Sequence, residues 1–433
     1  MLAVECDPTD RTRSTIGIVL HPDTAFFETR MQVSNRTPIR HSFLMWQTVQ
    51  CVNDDYQFIF PPDVNYVTHH HSSARTPLTY PIAQGPYAGI FYDQPTDISW
   101  YKNNKDATSH FAAPSKYDFF GGYDHGRGCG VIHFANHHTS PGKKMFTWGC
   151  GPLGKSWEAA LTDADGPYCE LMASSYSNNQ PDFTWLNAYE TKCFSEYWYP
   201  IGAVGKANFA TLDAAVCVEP DKGVLRVQTT RAQTGLRVKL SWDGQEVLSA
   251  DGNTTPGTPV EFTFAPFNGM YTVQILDKNG RELLKYAQEK YDELNYPEPI
   301  ELFPHPDTLK TVQELYLQGV HLDQYRNPMN DPSVYFEEAL RRDSNHIPSL
   351  IALGEYRYRR GWYAEAKELL ERAVRNEHQY NLHYPDGEAE FLLGLVYDEL
   401  GDTAQAYDAF WNASWSGQTV AKRCAACCCR RTP

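Results

Sequence analysis

The sequence lacks any run of about 20 consecutive apolar residues, the length that a membrane-spanning helix requires. Its start, MLAVECDPTDRTR, has no basic segment followed by an apolar one, so it does not indicate a secretory signal peptide. Basic residues are outnumbered, with 38 Lys and Arg against 53 Asp and Glu, and the net charge of -15 disfavours attraction to nucleic acid or anionic membranes. These absences predict a cytoplasmic protein with neither nucleic acid nor membrane as a partner.

The motifs of several enzyme classes are also missing. The chain contains no GxxxxGK[ST] phosphate loop, no GxGxxG in a βαβ setting, no HExxH and no GxSxG nucleophile elbow. Nucleotide hydrolysis, dinucleotide redox chemistry, zinc proteolysis and α/β-hydrolase chemistry therefore lose their usual support. We expect no cofactor.

Residues 1–219 are rich in Tyr, Phe, Trp, Thr, Asn, Gly and Pro, and long helical periodicity is absent from them. Short apolar runs alternate with turn residues, which is typical of strands. The runs are TIGIVLHP, ETRMQVSNRT, FLMWQTVQCVN, GRGCGVIHFANHH, KKMFTWGCG, GPYCELMAS and CFSEYWYPI. This part of the chain is predicted to form a large antiparallel β-sandwich.

Residues 220–290 form a second, smaller unit. In LRVKLSW the apolar side chains alternate, and the run YTVQILDKNGRELLKY carries hairpin chemistry around DKNG. The alternating positions are Leu236, Val238, Leu240 and Trp242. We predict a small β-sandwich.

The chain changes character after a proline-containing linker at 291–309. Leu353, Gly354, Gly361, Ala364, Ala366 and Ala373 recur 40 positions later as Leu393, Gly394, Gly401, Ala404, Ala406 and Ala413. Small residues at these positions allow two helices to cross closely, and the pattern resembles the tetratricopeptide repeat, whose unit is about 34 residues. A degenerate earlier copy is indicated at 316–340. Residues 310–416 are thus predicted to form an α-helical repeat array.

The last segment, residues 417–433, does not continue this pattern. It contains Cys424, Cys427, Cys428 and Cys429, but a zinc site needs four well-placed ligands, normally as two separated pairs. We predict no metal site there and an irregular tail. The abrupt change to Cys, Ala and Arg is also what a reading-frame error produces, so we expect the natural chain to continue with further helices.

Polar and aromatic residues are densest between Trp100 and Trp198. Sugar sites are built from such mixtures, because aromatic faces stack on C–H surfaces while polar groups take the hydroxyls. Packing of aromatic side chains in the core of a large sandwich is the alternative explanation. The candidate substrate-binding residues are Asp124, His125, Lys144, Trp148, Asn179, Asp182 and Trp185.

Four motifs in this region resemble a bacterial domain of unknown function, DUF5107, that is typically coupled to C-terminal tetratricopeptide repeats. They are FFGGYDHG, NHHTSPGKKMFTWG, DGPYCELMASSYSNNQPDF and YETKCFSEYWYPIG, and the resemblance spans roughly residues 1–219. It implies the galactose-mutarotase-like supersandwich fold, with a sugar-binding concave face. The family usually has further strands before those seen here, so the resemblance also implies an incomplete N-terminus.

Galactose mutarotase opens and closes a sugar ring with an imidazole as general acid and a carboxylate as general base. By resemblance to its Asn-His strand, His137 is the candidate acid and His138 the alternative. Glu170 resembles the strand that bears the carboxylate, and Glu190 lies in a motif similar to a later edge strand. The four candidate catalytic residues are therefore His137, His138, Glu170 and Glu190.

Structural roles for the same residues remain open. Glu170 could form an ion pair with Arg127 or Lys144. Lys143 and Lys144 could hold an anionic substituent of a sugar, or lie on a solvated surface. Asp124 and His125 could face a ligand or simply belong to a β-turn. The run His69, His70 and His71 resembles a metal-ligand set, but neighbouring residues rarely face one ion, and we predict no metal there.

Two functions follow from these observations. The first is a carbohydrate-active protein, possible reactions being epimerisation or mutarotation, hydrolysis and elimination. The second is a non-catalytic adaptor, in which the β domain binds a glycan and the helical repeats bind a protein partner.

Overall fold

The computed structural model describes residues 1–51, 54–71, 74–87, 89–178, 183–290, 303–325, 330–382 and 384–416. Two candidate substrate-binding residues, Asn179 and Asp182, and the cysteine-rich tail lie outside these ranges. Among the helices within them, none combines the length and the apolarity needed to cross a membrane.

The N-terminal part is built almost entirely from β-strands. In chain order they are β1 (Leu2–Cys6), β2 (Arg13–Leu20), β3 (Phe27–Ser34), β4 (His41–Phe43), β5 (Met45–Cys51), β6 (Tyr56–Ile59), β7 (Tyr66–His71), β8 (Ala74–Thr79), β9 (Ile82–Tyr87), β10 (Ile90–Asp97), β11 (Thr108–Ala112), β12 (Phe119–Asp124), β13 (Cys129–Phe134), β14 (Gly142–Thr147), β15 (Cys169–Ser175), β16 (Thr184–Leu186) and β17 (Thr191–Ile201). One helix, α1 (Pro152–Leu161), interrupts them. The apolar runs of the sequence fall in strands as predicted, whereas α1 was not predicted.

Two large antiparallel sheets face each other in this part. A seven-stranded sheet has the order β1-β2-β3-β17-β13-β12-β6, and a six-stranded sheet has the order β5-β15-β14-β11-β7-β8. Phe58, Phe120 and Trp198 from the first sheet pack against Met145 and Leu171 from the second. The predicted large β-sandwich is confirmed.

The second β unit continues directly from the first. Its strands are β18 (Phe209–Ala210), β19 (Ala214–Glu219), β20 (Val224–Thr229), β21 (Gln233–Trp242), β22 (Gln245–Thr254), β23 (Val260–Thr263), β24 (Tyr271–Leu276) and β25 (Glu282–Ala287). They form two four-stranded sheets, β18-β19-β20-β23 and β22-β21-β24-β25. Leu236, Val238 and Leu240 are fully buried, as the alternation predicts, so the small β-sandwich is confirmed.

The seven-stranded sheet lies between the other two layers. Successive residues of one strand face opposite sides of a sheet, so Phe119 packs toward the small sandwich while Phe120 packs toward the six-stranded sheet. In the same way, Tyr199 packs toward the small sandwich and Trp198 toward the six-stranded sheet. One hydrophobic core therefore includes residues of both β units.

The C-terminal part is helical. Its helices are α2 (Val312–Tyr325), α3 (Ser333–Arg342), α4 (Ile347–Arg359), α5 (Tyr363–Glu377), α6 (Glu388–Glu399) and α7 (Thr403–Ala413). Neighbouring helices pack in the pairs α2–α3, α4–α5 and α6–α7. Gly361 and Gly401 take positive φ angles of 77° and 80° in the turns of the second and third pairs, a conformation that glycine adopts without strain.

One glycine contact recurs in all three helix pairs. A Cβ atom on Gly354 would lie 2.7 Å from Leu370, and one on Gly394 would lie 2.7 Å from Phe410. In the same way, a Cβ atom on Gly319 would lie 2.5 Å from Phe336. The degenerate copy at 316–340 is therefore a third helical hairpin, and a helical array of the tetratricopeptide type is confirmed.

The helical array packs against the N-terminal β unit. Ile39 contacts the hydrophobic cluster of α5, α6 and α7. Arg40 lies 3.6 Å from Glu355 of α4, and the side-chain amide of Gln324 donates a hydrogen bond to the Phe183 carbonyl at 3.2 Å. The segment before β4 thus reaches the array.

Candidate functional site

The surface of the six-stranded sheet that points away from the seven-stranded sheet carries three of the predicted site residues. Along β14, Lys143 and Met145 face the neighbouring sheet, so Lys144 and Phe146 lie on the opposite side. Phe111 pairs with Lys144, and Glu170 pairs with Phe146 across neighbouring strands. We call this side the outer face.

Aromatic rings surround the ammonium group of Lys144 on the outer face. Its Nζ atom lies 4.6 Å from the ring centre of Phe111, 5.5 Å from Trp46 and 6.0 Å from Phe146. The rings of Trp46 and Phe111 meet edge to face at 5.7 Å. The indole N–H of Trp46 is buried and has no hydrogen-bond partner in the described part of the chain. These contacts define an aromatic cluster with a cation near its centre.

The aromatic surface continues toward α1. Phe146 and Trp148 are in contact at 5.2 Å, and Trp148 stacks on Trp157 of α1 with ring centres 4.6 Å apart and an angle of 15°. Trp157 retains 39% of its exposure. Aromatic rings therefore extend from the centre of the outer face to solvent at Trp157, and an exposed ring face of this kind can stack on a sugar ring.

Glu170 supplies the carboxylate of the outer face. The hydroxyl of Tyr168 donates a hydrogen bond to its Oε1 atom. Glu170 lies diagonally across from Lys144, because Lys144 pairs with Met172, two residues further along β15. Diagonal neighbours on one face are about 7 Å apart, a separation that leaves room for one pyranose between two functional groups.

Burial changes the proton affinity of Lys144. The side chain is 7% exposed, and desolvation lowers its pKa to about 8, although the charge of Glu170 opposes this effect. An ammonium group with a pKa near neutrality is a useful proton donor at physiological pH. The outer face thus combines a proton donor, a carboxylate and stacking surfaces.

The two predicted histidines lie elsewhere. They are in a turn after β13, not in a strand, and the Asn136 side chain accepts a hydrogen bond from the His138 amide at 2.9 Å, an arrangement typical of an Asx turn. The Nδ1 atom of His137 lies 2.7 Å from Asp118. The two imidazole rings are 3.9 Å apart, so the two side chains lie together and not on opposite sides of a strand. In the described residues, neither histidine contacts Glu170.

The other candidates are distributed over separate regions. Glu190 accepts a hydrogen bond from the Asn187 amide at 2.6 Å, which closes a turn between β16 and β17. Trp185 of β16 lies under the Arg40 guanidinium at 5.5 Å, next to the helical array. These positions do not join the outer face.

Asp124 and His125 lie at the end of β12. Asp124 is buried and accepts a hydrogen bond from the Arg127 amide at 2.8 Å, as in a β-turn. His125 stacks on Trp100 at 4.5 Å and shares a hydrogen bond with Gln57 at 3.0 Å. Arg127 lies 3.9 Å from Asp124, and the structure gives no ion pair between Arg127 and Glu170 within the described residues.

A second polar cluster lies between the two large sheets. His133 Nε2 is 3.0 Å from Glu196 Oε2, and Ser175 donates a hydrogen bond to the other carboxylate oxygen. Burial opposes ionisation of Glu196, yet the hydrogen bonds from His133 and Ser175 hold its pKa below the ordinary value. Since Glu196 is fully buried and His133 is 2% exposed, a substrate does not reach this pair.

Lys143 points toward the same interior. It is 2% exposed, and its Nζ atom has no hydrogen-bond partner among the described residues. The expectation of a solvated Lys143–Lys144 surface is therefore wrong for both residues. Strand alternation places the two ammonium groups on opposite sides of one sheet, so they do not form a joint anion site.

Sequence reasoning missed most of the aromatic residues of the outer face. They are Trp46, Phe111, Phe146, Trp157 and Tyr168. The sequence could have placed Phe146 on this face, because Lys144, Phe146 and Trp148 alternate in KKMFTW and alternate residues lie on one side of a strand. Trp46 and Phe111 required the strand pairing.

Two family models match the β region. DUF5107, a domain of unknown function, matches residues 2–201, and the second domain of YphG-like proteins matches residues 209–286.

Solved structures resemble the chain at low sequence identity. A TPR-domain containing protein from Parabacteroides distasonis is 14% identical, and the match covers 96% of this chain and 57% of that one, with a TM-score of 0.40. A putative aldose 1-epimerase from Escherichia coli is 10% identical, with coverage of 46% and 64% and a TM-score of 0.33. A galactose mutarotase-like protein from Lactobacillus casei is also 10% identical, with coverage of 46% and 68% and a TM-score of 0.31. The chain thus spans less than two thirds of the first two proteins.

Proposed function

Residues 2–201 of this chain form a DUF5107 domain, and from that premise we propose that the outer face of this domain binds a carbohydrate and interconverts its anomers. The observation that carries the proposal is the meeting of Glu170 and Lys144 with four aromatic side chains on one face of the sheet: Trp46, Phe111, Phe146 and Trp148.

The binding part of the proposal rests on complementary surfaces. Trp148 and Trp157 offer apolar ring faces for the C–H side of a pyranose. The carboxylate of Glu170 accepts hydrogen bonds from sugar hydroxyls. A phosphate group would need more cations than Lys144 alone, so we expect a neutral sugar.

The chemical part assigns one role to each titratable group. Glu170 removes the proton of the anomeric hydroxyl while Lys144 donates a proton to the ring oxygen, the bond between the anomeric carbon and the ring oxygen breaks, and an open-chain aldehyde forms. Closure on the other face of the carbonyl returns both protons and gives the other anomer. Lys144 thus replaces His137 as the proposed acid.

A specific observation also supports the adaptor function. The described helices form three hairpins, and about three units are enough for a stable repeat stack. A protein-binding role for this array is compatible with sugar binding at the outer face, because Ile39 and Arg40, which contact the array, lie outside the outer face.

The test is NMR of the purified chain with a panel of mono- and oligosaccharides. We expect line broadening for a bound sugar and accelerated exchange between its anomeric signals. Glu170→Gln should slow this exchange by about 10²–10⁴-fold, since it removes the general base. Exchange in the wild type should decline as pH rises through about 8, where Lys144 loses its proton.

Matched variants distinguish the proposed site from the alternatives. Trp148→Ala should weaken sugar binding by about tenfold, whereas Trp185→Ala, which alters a tryptophan beside the helices, should not. Glu190→Gln makes the same chemical change as Glu170→Gln and should leave exchange intact. Loss of exchange in Glu190→Gln but not in Glu170→Gln would refute the assignment, and broadening without exchange in the wild type would favour the adaptor.

A further inference from the structure

A cavity of about 410 Å³ lies beside α2, α4 and α6 of the helical array. Tyr316 and Val320 of α2, Ile351 of α4 and Glu388 of α6 contribute to its wall. Arg40 enters it from the segment before β4. The cavity thus lies between the repeats and the DUF5107 domain, and the residues that line it differ from those of the outer face.

Carboxyl groups dominate the wall of this cavity. Those that line it belong to Asp343, Glu355, Glu377, Asp386 and Glu388. Among the lining residues in the described part of the chain, Arg40 is the only lysine or arginine, and it lies 3.6 Å from Glu355. His346 bonds with Ser349 at 2.9 Å, and burial lowers its pKa, so it adds little positive charge at neutral pH.

Glu377, at the end of α5, is the most unusual of these groups. It is 4% exposed, and its Oε2 atom has no hydrogen-bond partner in the described residues. A buried carboxyl oxygen without a partner costs free energy, and such groups are normally satisfied by a ligand or by ordered water. A hydrogen-bond donor that enters the cavity would therefore find a buried acceptor oxygen at Glu377.

We propose that this cavity binds a primary ammonium group, carried on an alkyl chain like that of lysine. An ammonium has three donors, which suit the carboxyl groups of Glu377 and its neighbours. The rings of Tyr316 and Tyr384 line the same space and favour a cation, while Val320 and Ile351 suit the methylene chain. This inference goes beyond the proposed sugar function and does not depend on it.

The electrostatics of Glu377 predict how binding responds to pH. Burial, together with the charges of Glu390, Asp386 and Glu388, raises the pKa of Glu377 to about 8. Three carboxyl groups near α6 face Glu377: Asp386, Glu388 and Glu390. His378, the next residue along the chain, lies 2.8 Å from Glu390. The titratable or charged groups across the cavity are Arg40, Asp343, His346 and Tyr384. When no amine is bound, Glu377 is therefore protonated at pH 7.

An arriving ammonium group favours the ionised carboxylate, so binding should release the proton of Glu377. Raising the pH from about 6 to about 9 should strengthen binding, because the carboxylate is then already ionised while the amine stays charged.

Titration calorimetry of the full chain tests the proposal. The probes are n-butylamine, spermidine and the peptide acetyl-Gly-Lys-Gly-amide, with n-butanol as the uncharged counterpart of butylamine. At pH 7, in two buffers of different ionisation enthalpy, we expect the amines to bind with release of up to one proton, and n-butanol not to bind. If the peptide binds more tightly than butylamine, the natural ligand is a lysine side chain of a protein. If spermidine binds more tightly than butylamine, the natural ligand is a polyamine.

The variants separate this cavity from general attraction to an acidic chain. Glu377→Gln should weaken amine binding by about tenfold and abolish proton release. Glu368→Gln makes the same charge change at an exposed position of α5 and should leave both unchanged. Absence of amine binding at millimolar concentrations, equal binding of n-butanol, or equal weakening in Glu368→Gln would each overturn the proposal. The wild-type comparison of butylamine with butanol holds even if a variant fails to fold.

Discussion

Replacing His133 with leucine is expected to lower the free energy of unfolding by about 3–5 kcal/mol. The substitution leaves the carboxylate of Glu196 fully buried without its principal partner, which lies 3.0 Å away in the wild type. The remaining hydroxyl of Ser175 cannot replace that interaction. Chemical denaturation of the two proteins at pH 7, monitored by circular dichroism, measures the difference.

The pH dependence of the lost unfolding free energy gives a second test of this prediction. In the wild type the pKa of Glu196 is depressed, so its stabilising contribution is present at neutral pH and is lost as pH falls through the folded-state value. Without His133, burial alone should raise the pKa, and the deficit should shrink on acidification. His133→Leu combined with Glu196→Leu should recover much of the stability. His138→Leu, an exposed control, should change little; a loss as large as that of His133→Leu would contradict the argument.

Lys143→Met is expected to act in the opposite direction and stabilise the protein by about 3 kcal/mol at pH 7. Desolvation lowers the pKa of Lys143 from 10.5 to about 8, although Asp118, Asp63 and Glu196 oppose this effect. Below pH 8 the folded protein must therefore hold a buried charge that the unfolded chain keeps in water. Methionine has a similar shape and no charge, so the penalty disappears.

The size of this effect depends on pH. Because the folded-state pKa is the lower one, wild-type stability should rise between about pH 8 and pH 10.5, where the folded lysine has lost its proton and the unfolded lysine still holds it. The advantage of Lys143→Met should be largest below pH 8 and should disappear by about pH 10.5. Lys155→Met, on the exposed surface of α1, should show no such advantage. Equal stability of Lys143→Met and wild type at pH 7 would mean that water reaches the amine.

Much of the fold was predictable because its signals are local. Alternation along Leu236, Val238 and Leu240 reports burial of one side of a strand, and the structure confirms it. The repeat was visible because Gly354 and Gly394 meet equivalent partners, but Gly319 was overlooked because its surroundings diverge in sequence. Helix α1 was missed because it is a single helix of ten residues among segments that are typical of strands.

The candidate site was only partly predictable. Lys144, Trp148 and Glu170 were identified from residue types, and they share the outer face. Trp46 and Phe111 come from strands far apart in the chain, so strand pairing, which sequence does not specify, brings them to Lys144. His137 was misplaced because Asn136 favours a turn that ends the strand before the histidines.

The position of the seven-stranded sheet also affects how the protein melts. Phe119, Ile132 and Tyr199 of that sheet share one core with Val216 and Leu225 of the small sandwich. Either unit expressed alone would expose these apolar side chains to water, a state that favours aggregation. The two regions matched by separate family models therefore behave as one cooperative folding unit, and a cut near residue 205 would break it rather than separate two stable halves.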